Sequence, residues 1–215
     1  MRAIVNQYYD IQKIRIEAEN QVRSIKQEKS EGNVDFIRTS IINKLKVIEK
    51  DIIKQSKEAL KGYSLYTEWL KDVKGVGPVL AMGLIAYIGD PTRFKDPSHL
   101  WAYAGLHVID GKAAKRAKGQ KSNWNTKLKT LCWLVGESFV KQKNSKYRDL
   151  YDQLRAFYNE KYPKESKGHQ YAMAKRKVVK IFLVHLWSEW CSLEGIKPKK
   201  PYVIDILNHK SYIAP

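Results

Sequence analysis

Apolar residues recur every three to four positions from the start of the chain: Ile4, Tyr8, Ile11, Ala18, Val22 and Ile25, with Arg15 interrupting one step. A second series, Ile37, Ile41, Leu45, Ile48 and Ile52, repeats the pattern. This is the period of a helix with one buried face. Ser30-Glu31-Gly32-Asn33 separates the two series as a stop and turn, and Lys61-Gly62 ends the second. The reading is two long helices, about 3–29 and 34–60, folded as an antiparallel hairpin. The same stripes suit a coiled-coil dimer, so a hairpin alone and a hairpin with a dimer contact both stand as expectations.

No alternating strand pattern stands out beyond residue 62. Helices are expected at 64–73, 78–88, 97–104, 123–141, 145–160 and 168–192. Asp96 caps the third of these, with Pro97 in its first turn. The fold class is all-α: a helical hairpin or coiled coil over 1–62, a compact domain over 63–195 and a tail over 196–215 with a short Val203–Asn208 segment.

Within the compact domain stands Val73-Lys74-Gly75-Val76-Gly77-Pro78-Val79. A short helix ends before Lys74, Gly75-Val76-Gly77 reverses the chain, and Pro78 starts the next helix. Val76 is expected to point inward and pin the corner, and Ala81 and Gly83 are small enough for close helix packing. This is a helix-hairpin-helix pattern. The first N–H groups of the second helix lack intrahelical acceptors and carry the positive end of its dipole. With Lys71 and Lys74 alongside, they suit a phosphate of a DNA strand, held without reading its bases.

Charge points the same way. Forty Lys and Arg against 22 Asp and Glu give +18 and a pI near 9.7, a balance that a polyanion would neutralise. Between Gly111 and Thr130 lie Lys112, Lys115, Arg116, Lys118, Lys121, Lys127 and Lys129, with no acid among them. Ser122 or Asn123 is expected to cap the helix that follows, and Asn123 joins the candidate DNA contacts. Trp124 reads as a core anchor or a stacking platform for a base. Lys175 and Arg176, with Lys177 and Lys180, form a third basic cluster. Expected partners are double-stranded or branched DNA, with RNA as an alternative, and a second copy through the N-terminal helices.

Cys132 and Cys191 form neither a disulfide framework nor a zinc site, and His169 and His185 read as surface or core residues. No metal or cofactor is expected. The longest apolar stretch, Val76 to Gly89, is too short to span a bilayer, and no leader stands at the start. A cytoplasmic location is expected, nucleoid-associated if the source is prokaryotic. No carboxylate set at metal-ligand spacing and no nucleophile beside a base stands out, so catalysis is not expected. A recombinase or structure-specific nuclease with an unrecognised site, using Asp90 or Asp110, and an RNA-binding accessory protein remain the alternatives.

Three blocks in register, Val73–Ala81, Ile88-Gly89-Asp90-Pro91-Thr92-Arg93-Phe94 and Leu100-Trp101-Ala102-Tyr103-Ala104-Gly105-Leu106, resemble the C-terminal domain of a bacterial and archaeal insertion-sequence transposase family. Asn125-Thr126-Lys127-Leu128-Lys129 resembles the start of that domain's basic helix, and the likeness spans roughly 66–190. The resemblance implies a DEDD-type, serine-dependent recombinase guided by a bridge RNA. Two departures qualify it. Only about 65 residues precede the domain, and their acids (Asp10, Glu17, Glu19, Glu28, Asp35) fall on helices, so the nuclease-like catalytic domain is expected to be absent. No serine lies between Leu106 and Lys121, and Ser122 comes too late to take the nucleophile's role. The expectation is a sequence-independent DNA-binding relative.

Overall fold

A computed structural model describes residues 1–25, 31–109, 111–201 and 213. The architecture is all-α. Helix α2 (Glu31–Phe36) runs through a π-helical stretch, Ile37–Ile42, into α3 (Asn43–Leu60), and helix α1 (Arg2–Ile25) lies against the π-helical stretch and α3. Glu31 to Asn33 are therefore helical and not a turn; Ser30 lies outside the described residues.

The hairpin's apolar stripes only partly face each other. Ala18, Val22, Val34 and Ile42 form a small core, while Ile14, Ile41 and Ile48 are exposed. Arg15, the break in the first stripe, is an interhelical strut: its guanidinium donates to Glu49 at 2.5 Å and to Glu19 at 2.9 Å, and Lys46 reaches Glu19 at 3.1 Å.

Helix α4 (Ser64–Glu68) and a 3-10 turn, Leu70–Asp72, lead to α5 (Pro78–Ile88), which is buried on nearly all sides. Gly83 has the role its size suggested, since a Cβ there would stand 2.8 Å from Leu131. Asp96 caps α6 (Pro97–Tyr103), its carboxylate accepting from the amides of Ser98 and His99. A small antiparallel ribbon follows, β1 (Val108–Ile109) paired with β2 (Lys112–Ala113), which the sequence reading did not anticipate. Helices α7 (Thr126–Lys141), α8 (Lys146–Lys161) and α9 (Lys167–Leu193) complete the domain.

A second, larger core joins the base of the hairpin to the helices that follow it. Phe139, Tyr147, Phe182 and Trp69 stack across α7, α8, α9 and the segment before the corner, and Val5 and Leu60 bring the base of the hairpin into the same cluster. His185 is buried with its Nδ1 2.9 Å from the Tyr147 hydroxyl, and His169 is exposed. Val203–Asn208 and Asp110 lie outside the described residues.

Candidate nucleic-acid interface

The corner forms because its two glycines do different things. Gly75 sits at φ +99°, where L side chains are strained, and a Cβ there would lie 3.0 Å from Phe139 and 3.1 Å from Gln142. Its carbonyl accepts from the Ser138 hydroxyl at 2.7 Å. Gly75 therefore serves the seating of the corner on the end of α7. Gly77, at φ −73° and ψ 170°, has no atom within 4 Å of a would-be Cβ, and it is exposed. Between them Val76 is buried, and its amide closes the turn on the Val73 carbonyl at 3.0 Å.

Gly77 is the N-cap of α5, and no side chain caps that end. The side chain of Val79 is buried, so this residue can offer a ligand only its amide. Pro78, Gly77 and Val76 open onto a cavity of about 510 Å³ whose other lining residues are Lys57, Lys61, Tyr66, Thr67 and Lys71. None of the described residues that line it is acidic. Lys61 reaches Glu58 at 2.6 Å, an exposed pair that water and salt screen. The carboxyl of Glu58 is held below its usual range by that ammonium. Lys74 is exposed but turns away, donating to the Asn144 carbonyl at 3.1 Å. The sequence reading missed Lys57 and Lys61. Lys57 is in the last turn of α3 and Lys61 is its C-cap, and the packing of the hairpin on α5 brings them to the corner.

The basic segment lies at the other end of α7. Gly75 meets α7 at Ser138 and Phe139, whereas Lys112 to Lys121 precede its first residue, Thr126. Twelve residues of helix separate the two ends, about 18 Å at 1.5 Å per residue. Lys112, Lys115, Arg116, Lys118, Lys121, Asn123 and Lys127 are all exposed. The cap of α7 is Asn125, not Ser122 or Asn123: its side chain accepts from the Leu128 amide, and Tyr103 anchors its backbone and amide group.

Three expected contacts are engaged within the chain. Lys129 donates to the Ala114 carbonyl at 2.8 Å and lies 4.4 Å over the Trp124 ring; burial, and then Arg176, lower its pKa. Arg176 donates to the carbonyls of Leu106 and His107, both at 2.7 Å, and burial lowers its pKa. Lys175 is buried, paired with Glu137 and flanked by the rings of Trp133 and Tyr171. That pairing, with a hydrogen bond from Tyr171, holds Glu137 below the usual carboxylate range. These three candidate contacts are held by partners within the chain and do not present open charge.

Lys180 carries a pH signature. Its ammonium lies 4.0 Å over the Trp101 ring, and burial, with Lys177 and Arg176 nearby, pushes its pKa from 10.5 down to about 8. The unfolded chain then binds more protons between pH 8 and 10, so stability attributable to this group rises with pH across that window. Lys180→Met, which keeps the aliphatic stem on Trp101, should raise the melting temperature at pH 7, and the gain should shrink by pH 10. Thermal melts at the two pH values measure this.

The corner thus sets a helix start without a side-chain cap beside a cavity whose described lining carries no acid. Residues 67–152 match the family model described as Transposase IS116/IS110/IS902 family, so this segment is a transposase-related domain. No curated protein matches the chain. Among the described residues no three His, Cys, Asp or Glu side chains group as metal ligands, and no helix is long and apolar enough to cross a membrane. The carboxyl of Asp90 is held below its usual range by the Thr92 side chain and then by the Thr92 amide, which donates to it at 2.7 Å.

Proposed function

We propose that this chain is a sequence-independent DNA-binding protein that holds a duplex by its phosphates at the Gly75-Val76-Gly77 corner. The observation that carries this reading is the uncapped start of α5 opening onto a cavity whose charged lining, among the described residues, is Lys57, Lys61 and Lys71. A phosphate there would accept from backbone amides and from ammonium groups together. The exposed cations of the 112–127 segment, about 18 Å away along α7, supply a second contact to the same backbone. Phosphate contacts fix position without reading sequence, and the sequence holds no serine between Leu106 and Lys121 to attack a strand. The reading is therefore binding, not strand transfer.

The expected dimer belongs to the same proposal, supported by the exposed Ile14, Ile41 and Ile48 of the hairpin. The test is anisotropy of a labelled duplex under increasing KCl. Log affinity should fall with log salt at a slope of about −3 or steeper for two duplexes of unrelated sequence. A flat profile, or strong preference for one sequence, contradicts the proposal.

A further inference from the structure

A second cavity, of about 360 Å³, lies between the basic segment and the first turns of α7, lined by Arg116, Trp124, Thr126, Lys129, Thr130 and Trp133. We infer that it binds an unpaired nucleobase of a DNA strand whose phosphates lie on the basic segment; the inference rests on the DNA-binding reading but not on the corner.

Trp133 is 55% exposed, although α7 buries Leu128, Leu131, Cys132, Val135 and Phe139. Lys175, itself buried, lies 4.7 Å from the Trp133 ring centroid and steadies it from the protein side. The remaining ring surface is a flat apolar platform in a cationic surround, which is what a base needs for stacking. Trp124 forms a fixed wall. A Cβ on Gly105 would stand 2.7 Å from its ring, and Lys129 is held over it by the Ala114 carbonyl. The Trp124 indole Nε1 is buried with no hydrogen-bond partner among the described residues. An indole N–H only donates, and leaving it buried without an acceptor is costly. Arg116, exposed on the rim, suits the adjoining phosphate. No described lining residue is acidic, which disfavours a cationic occupant. A base paired within a duplex has its faces covered by its neighbours, so the platform selects one that is already unstacked.

The test uses the full chain with duplexes carrying 2-aminopurine in a short single-stranded gap, compared with the fully paired sequence. The gapped DNA should bind about fivefold or more tighter, with quenched 2-aminopurine emission. Trp133→Ala should remove both the preference and the quench while leaving paired-duplex affinity unchanged, and Trp133→Phe should retain most of each. Equal binding of gapped and paired DNA, or a preference that survives Trp133→Ala with far-UV circular dichroism intact, overturns the inference. A Trp133-dependent preference for an RNA gap strand over DNA overturns the choice of DNA. Gapped DNA held through Trp133 alongside salt-insensitive duplex binding would sink the corner and leave this site standing.

Discussion

Replacing Lys57, Lys61 and Lys71 together by glutamine should cut duplex affinity on the order of a hundredfold near 0.1 M salt and flatten the salt dependence by about two to three units of slope. Each ammonium that neutralises a phosphate releases close to one counterion, so three lost contacts leave a countable signature. The cost to the fold is small. All three residues are exposed, and the one ion pair lost, Lys61 with Glu58, lies on the surface. The control is Lys13, Lys44 and Lys164, equally exposed and outside both cavities, replaced in the same way. It removes the same net charge and should change affinity little. If both triple variants weaken binding alike, net charge and not the corner attracts the DNA. Titration of labelled duplex at several salt concentrations separates the two outcomes.

Phe139→Ala should lower folding stability by about 3–5 kcal/mol, a large share of what a domain of this kind holds in total. Phe139 is fully buried, stacked 4.5 Å from Tyr147 and set edge-on to Phe182 at 5.1 Å, so its removal opens a void where α7, α8 and α9 meet. It also supports Gly75, where a Cβ would lie 3.0 Å from its ring. Urea unfolding followed by circular dichroism measures the loss. A change below about 1 kcal/mol would mean that these three helices do not meet around this ring as described.

The sequence carried the local signals well. Asp96 and Pro97 mark a helix start that needs no tertiary information, and Gly75-Val76-Gly77-Pro78 marks the corner because φ preference and missing donors are properties of single residues. Charge was harder to place. Lys175 and Lys177 look alike in a run of basic residues, but Glu137, 38 positions earlier than Lys175, takes one of them into the core. Lys57 and Lys61 look like any lysines on the outer face of a helix until that helix is set against α5. Asn123 and Asn125 are equally competent caps, and the choice falls to Asn125 because Tyr103 meets it. The hairpin shows the same limit. The periodic isoleucines gave the helices, but Arg15 with Glu49 and Glu19 sets their contact, and such ion pairs leave no mark in a hydrophobic pattern.

Gly77→Asp isolates the claim that open amides at the start of α5 hold a phosphate. The backbone there suits any residue and nothing stands near a new Cβ, so the fold should tolerate the change. The carboxylate should cap the helix and fill the anion's place. The account predicts a melting temperature equal to the unmodified chain's or slightly higher, with duplex affinity at 0.1 M KCl reduced more than tenfold. Unreduced affinity in this well-folded variant would contradict it.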